Sequence, residues 1–187
     1  LEAIAARAMD EPCLRLHRPG RAGHYVKMVH NGIEYADMQL IAESYLLLKY
    51  VGGFNNQELA HIFKSWNEGE LHSYLIGITA GIFHEADDLG DGELIDRIKD
   101  SAKQKGTGRW ASIEALKQGV DISMITSACT ARIMSNHLDE REKAWQLIHS
   151  PAVGLSPDKE SFAAMVREAL YTGKIIAYAQ GFSLMQD

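Results

Sequence analysis

The chain has 187 residues, 46% of them hydrophobic and 24% charged, with a formal net charge of -6. That is enough chain to bury a substantial core as one domain, or one domain plus a fragment. No basic run exists to neutralise phosphates, which excludes a nucleic-acid binder, and the apolar stretches break well short of the ~20 residues a membrane span needs.

The opening Leu1, Ile4, Ala5 and Ala8 read as the end of an amphipathic helix. After Pro12, Cys13 to His17 predict a brief extended segment closed by the turn signal Pro19-Gly20. From Gly23 helical signals dominate. The first long helix is expected from about His24 to Tyr50, ended by Gly52-Gly53. Asn55 or Asn56 can cap the next, through Leu59, Ile62, Phe63 and Trp66. A third, from about Glu70 to Asp87, carries Leu71, Tyr74, Leu75, Ile78 and Ile82 at core spacing. Asp88 to Gly92 is a turn, and irregular chain follows to Gly108. Trp110 to Lys117 is a short helix ended by Gly119. Further helices are expected from Ile122 to about Asn136 and from Asp139 to Ile148. Ser156-Pro157 reads as an N-cap with proline at the first position of a last helix running past Gly173 to the end. The fold expected is all-α. The start at Leu1 and the stop at Asp187 inside a helical pattern suggest truncation at both ends.

No signal or transit sequence opens the chain. Cys13 and Cys129 sit in no metal or redox spacing, so reduced thiols in a cytoplasmic protein are expected. No metal is expected either. Asp87 to Gly92 hints at a calcium loop, but Leu89 and Ile98 occupy its third and twelfth positions, and His84-Glu85 lacks a second histidine one turn later. Trp66, Trp110 and Trp145 read as core or interface residues rather than a ligand cage.

One stretch stands apart. In Lys27-Met28-Val29-His30-Asn31-Gly32-Ile33-Glu34-Tyr35, helical geometry puts Lys27, Asn31 and Glu34 on one face, with ~10 Å of axial rise from base to acid. A polar row inside an apolar helix suggests a site. On spacing alone, though, a lysine and a glutamate are more often solvent-facing ion partners.

Gly23 to Tyr35, followed by Asp37-Met38-Gln39-Leu40-Ile41, resembles the signature helix of the 6-phosphogluconate dehydrogenase family. Lys105-Gly106-Thr107-Gly108 before Arg109-Trp110 resembles a loop of that family, Arg132 falls at its substrate arginine, and Tyr178-Ala179-Gln180-Gly181-Phe182 matches a late helical motif. The similarity covers nearly the whole chain. Ala36, where the family usually has glycine, touches packing more than chemistry. The resemblance implies the large all-helical C-terminal domain over residues 21–187, preceded by the end of a coenzyme-binding domain in residues 1–20. It implies oxidative decarboxylation of 6-phosphogluconate to ribulose 5-phosphate with NADP, in the pentose phosphate pathway, by a homodimer. The glycine-rich nucleotide fingerprint is not in this sequence, so NADP would be held mainly by another domain, and this piece alone is expected to be inactive.

The resemblance further implies that Lys27 is the base that takes the proton of the 3-hydroxyl and then polarises the new ketone, and that Glu34 protonates the enediol. It implies that His30 and Asn31 bind substrate hydroxyls or carboxylate, and that Tyr35, Lys105, Thr107 and Arg132 hold the phosphate. Taken alone, His30 is more often structural and Lys105 to Gly108 a tight turn. A β-hydroxyacid dehydrogenase shares the Lys27–Asn31 pair, and a non-catalytic oligomerisation fragment is the non-enzymatic alternative.

Overall fold

Two long helices set the frame, and the rest of the chain packs along them. The computed structural model describes residues 2–14, 22–148 and 158–186. Helix α1 spans Ala22–Leu46, α2 Asn56–Asn67, α3 Tyr74–Ile82, α4 Thr107–Gln118, α5 Ser123–Ser135, α6 Leu138–Leu147 and α7 Lys159–Leu184. Helix α1 packs against α7, α4 and α5, while α2 pairs with α3. The expected all-α class holds.

The apolar spacing along α1 and α7 splits the interior into two cores. One gathers Leu48, Leu59, Phe63, Ile76 and Leu170 under α2 and α3. The other gathers Val29, Ile33 and Ala36 of α1 with Ala111, Ala115, Ile125 and Ala177. Small residues let these helices approach closely: a methyl at Gly181 would lie 2.4 Å from Ile33 Cδ1. Burying one face of α1 so completely forces its opposite face, with Lys27, His30 and Glu34, outward.

Local chemistry accounts for the boundaries. Asn55 caps α2 with a reciprocal capping box: its side chain accepts from Glu58 N, and Glu58 returns a bond to Asn55 N. Asn56 is instead buried. Helix α5 has no side-chain cap of its own, but Gln180 of α7 accepts from Met124 N at 3.0 Å and supplies one.

Several expectations need correcting. The start of the chain is not the end of a helix. It forms a 3₁₀ turn, Glu2–Ile4, then a hairpin of β1 (Arg7–Ala8) and β2 (Glu11–Pro12). Its turn residues Met9 and Asp10 have φ of 48° and 64°, the mirror-image turn that suits strand twist. One apolar turn is too short to offset helix nucleation. Cys13 and Leu14 lie outside any strand, and the rest of that predicted segment lies outside the described residues. Helix α1 ends earlier than expected and runs into a π-helical turn, Leu47–Val51. Helix α3 is much shorter than the 70–87 predicted. Ser73 caps its start, and the Ala86–Glu93 bridge draws the chain away after Phe83. Asp158 caps α7 by accepting from Ser161 N, whereas Ser156 and Pro157 lie outside the described residues. Trp66 is buried, but Trp110 and Trp145 are exposed. Among the described residues no helix is long and apolar enough to cross a membrane.

The π-helical turn has a purpose in the packing. It aims Lys49 at Asp96 of the 3₁₀ turn Leu94–Arg97, and Lys49 also donates to Asn56 Oδ1 at 3.0 Å. Asn56 in turn donates to Asp96 Oδ2 at 2.9 Å. The hydrogen bond from Lys49 holds the Asp96 carboxyl below the usual range, against an opposing push from burial. Burial pushes the Lys49 ammonium down, but its bond to Asp96 helps carry it above the usual range. Asp96 thus adds stability above the ordinary carboxylate range that is lost as pH falls through its folded value. Lys49 adds stability that is lost only as pH rises through its own. Thermal unfolding followed across pH is expected to show an acid limb that Asp96→Asn flattens; identical limbs in the two proteins would refute the linkage.

Candidate functional site

The outward face of α1 gathers a row of polar groups at successive turns. Lys27 Nζ donates to His30 Nδ1 at 3.2 Å. The same Nδ1 lies 3.2 Å from Asn31 Oδ1 and 3.8 Å from Glu34 Oε2. One ring nitrogen therefore meets an amine, an amide oxygen and a carboxylate. It can serve one at a time: as a lone pair it accepts from an ammonium, and as an N–H it donates to oxygen.

Asn31 carries the row to the next helix, donating from Nδ2 to Thr107 Oγ1 at 3.3 Å. Thr107 was expected in a loop before a helix starting at Trp110. It is instead the first residue of α4, with Gly106 before it at φ 100°, a left-handed conformation that glycine takes without strain. This places a helix N-terminus, whose first N–H groups have no intrahelical acceptor, beside the polar row. Gly108 is held by contact: a Cβ there would lie 2.7 Å from Cδ2 of the Tyr35 ring.

Tyr35 is buried and forms the floor for Arg132, whose guanidinium carbon sits 3.8 Å from the ring centroid. Arg132 also donates to the Lys103 carbonyl at 3.2 Å, so the arginine of α5 is tied to the strand of chain leading into α4. Lys105, in the same connection, is exposed. Cys129, one turn before Arg132, contacts Gln104 Oε1 at 3.6 Å, and burial pushes its thiol up, against the nearby Arg109 and Arg132 charges. It packs as a small apolar residue rather than a nucleophile.

The eight candidates thus fall into two touching groups. Lys27, His30, Asn31, Glu34 and Thr107 are joined by side-chain contacts, while Tyr35, Arg132 and the chain around Lys105 form the neighbouring cluster. Lys27 and Glu34 do share one edge of the helix. A concavity of about 220 Å³ lies beside them, lined by His30, Glu34, Asp37, Tyr74 and Tyr178. That is below the roughly 300–1,000 Å³ of complete ligand pockets, and Lys27 is exposed, so these residues form an open wall rather than an enclosed pocket. Sequence reasoning missed Asp37 and Lys174, a buried ion pair at the edge of this concavity, with Lys174 Nζ 2.7 and 2.9 Å from the two carboxylate oxygens.

Chemically, the wall offers an amine, an imidazole and a carboxyl along one line, with a forked cation and a helix N-terminus at the side. That suits a small polyhydroxy acid carrying an anionic group.

Comparison with known proteins shows the family of the chain. Residues 23–187 match the family model described as "6-phosphogluconate dehydrogenase, C-terminal domain". The chain is 51% identical over 187 residues to the decarboxylating 6-phosphogluconate dehydrogenase of Lactococcus lactis subsp. lactis, covering 99% of this chain and 40% of that relative. It is 50% identical to that of Staphylococcus epidermidis, covering 100% and 40%. Among solved structures, 6-phosphogluconate dehydrogenase of Plasmodium falciparum is similar, with a TM-score of 0.93 and 43% identity. The match covers 99% of this chain and 40% of that one. That protein is described in its apo form, with its cofactor NADP+ and with its substrate 6-phosphogluconate. The chain spans about 40% of the length of the relatives it matches.

Proposed function

Because the chain belongs to the 6-phosphogluconate dehydrogenase family, as its match over residues 23–187 establishes, we propose that it supplies the proton-transfer and phosphate-gripping wall of a decarboxylating 6-phosphogluconate dehydrogenase. The observation that carries the proposal is the continuous row Lys27, His30, Asn31, Glu34, extended to Thr107.

The described residues contain no βαβ unit of the kind that holds a dinucleotide, their only strands being two residues long. Residues 1–20 as the end of a coenzyme domain, and NADP as the hydride acceptor held chiefly outside this chain, are parts of the proposal. The residues described here are therefore given the proton movements and substrate binding alone. Lys27, as the neutral amine, takes the proton of the 3-hydroxyl as hydride leaves C3. Its ammonium then donates to the new ketone while the carboxylate departs as CO2, placing the developing charge on an oxygen that already has a donor. Glu34, at the other end of the row, gives a proton to C1 of the enediol while the enol hydroxyl returns its proton to Lys27, which yields ribulose 5-phosphate. His30 and Asn31 hold the substrate between them. Tyr35, Lys105, Thr107 and Arg132 grip the phosphate, Arg132 as a planar fork and the first turn of α4 through backbone N–H groups.

The test uses the full-length protein with 6-phosphogluconate and NADP. NADPH, CO2 and ribulose 5-phosphate are expected in equal amounts. NADPH without CO2, or faster turnover of a non-phosphorylated 3-hydroxy acid, would point to the β-hydroxyacid reading instead.

A specific observation also favours an assembly role. Helix α6 has no buried residue, and Trp145, Leu147 and Ile148 stand exposed, as do Tyr178 and Phe182 on α7. So much open apolar surface supports burial against a second copy, and we propose a homodimer. Sedimentation velocity is expected to show a dimer; monomer alone across the accessible concentration range would refute it. The free thiols Cys13 and Cys129 support a reducing, cytoplasmic setting.

A further inference from the structure

Among the described ion pairs, Asp37–Lys174 has the least exposed pair of side chains, at 10% and 14% exposure. It joins α1 to α7 across 137 positions of sequence, and no step assigned above uses it. Its place is specific. Asp37 lies three residues after Glu34, on the same face of α1, and both line the concavity with His30. Lys174 lies one turn before Tyr178, which closes that concavity from α7. Next to the pair, Leu40 of α1 presses on Gly173, where a Cβ would lie 2.7 Å from Leu40 Cδ2. The two helices cannot slide past each other here without moving both charges.

We propose that Asp37 and Lys174 form a positioning pair for Glu34, cancelling the Asp37 charge beside it and fixing α7 against its helix. This rests on the role given to Glu34 above. Without Lys174, two carboxylates would stand one turn apart at the edge of a single cleft. Without Asp37, the partly buried ammonium of Lys174 would lose its partner and stand uncompensated near the cleft. The other charged and titratable groups around Glu34 are His30 and, beyond it, Lys27 on its own helix, Tyr74 from α3 and Tyr178 from α7. Glu70, which lies near Lys174, is engaged by Arg167 at 2.9 Å. Lys174 is thus the cation placed to neutralise Asp37.

The experiment reads Glu34 directly. Its side-chain carboxyl is titrated by carbon-13 NMR in the 187-residue chain, and the pH–rate profile is measured in the full-length protein. Like charge one turn away raises a carboxyl and opposite charge lowers it, so Lys174→Met is expected to move the Glu34 midpoint up by about half a pH unit and Asp37→Asn to move it down by about as much. The double variant D37N/K174M, neutral at both positions, is expected to restore it. If Lys174→Met fails to fold, Asp37→Asn alone carries the test, and Lys174→Arg, which keeps the charge, is expected to leave the midpoint in place. Midpoints that superimpose on the parent in the charge-removing variants overturn the proposal, and so does a shift that the double variant fails to reverse. If Glu34 titrates in the expected order but the alkaline limb of kcat stays in place, the pair positions Glu34 as proposed, and the assignment of Glu34 as the acid is what fails.

Discussion

Replacing Lys27 with methionine in the full-length protein is expected to lower kcat by about 10²–10⁴-fold, the range that a positioned acid or base contributes. Methionine keeps the length and apolar contact of the stem, so the loss should fall on kcat with KM changed little. The amine serves twice in the proposed sequence, first as base and then as donor to the ketone, which places the expected loss toward the upper end. Glu34→Gln removes a single proton donation and should cost less in the oxidation than in release of ribulose 5-phosphate. His30 touches both groups through one nitrogen. His30→Ala should therefore lower kcat by a smaller factor while leaving both carrier groups in place. Steady-state rates with NADPH and CO2 measured separately resolve these cases. A Lys27→Met enzyme within a few-fold of wild type would remove the base from its role.

Arg132→Met should raise KM for 6-phosphogluconate on the order of 10²-fold, since each charge-assisted hydrogen bond lost is worth about 1.5–3 kcal/mol. Unphosphorylated gluconate, which lacks the group Arg132 is proposed to hold, should barely notice the change. The phosphate preference itself is then the quantity that collapses. Arg132→Lys should recover only part of it. Lysine keeps the charge but cannot lie flat on Tyr35, where the guanidinium carbon now sits 3.8 Å from the ring centre, nor present two parallel donors. Competition by inorganic phosphate gives a second readout, and it should weaken in step. If both substrates lose affinity equally, Arg132 supports the fold and the phosphate is held elsewhere.

The pattern on α1 was legible because it is local. Helical period alone puts positions 27, 31 and 34 on one face, while the resemblance adds His30 and the reading of that face as a site; the buried positions 29, 32, 33 and 36 fill the opposite side. What escaped was non-local or set by tertiary context. Lys174 pairs with Asp37 from another helix, and no spacing rule reaches across 137 residues. Thr107 reads as loop because glycines flank it, yet the left-handed Gly106 ends the loop and α4 starts at Thr107, three residues before the expected Trp110. Helix α3 looks longer in sequence because its apolar period continues, but Gly77 and Gly81 weaken it and the bridge at Ala86 ends it. The exposed tryptophans of α4 and α6 have the composition of core and the position of surface.

A Cβ on Gly108 would lie 2.7 Å from the Tyr35 ring, and the Arg132 guanidinium carbon sits 3.8 Å from the centre of that ring. There is no slack between the tyrosine ring and the backbone of α4. In the proposed phosphate grip these groups therefore arrive preformed, so little ordering entropy is spent when a guest enters. The same stiffness makes it intolerant of shape. Sugar acids with an added methyl on the carbon that bears the phosphate, which leaves the phosphate charge unchanged, are expected to be turned away by steric fit rather than by charge.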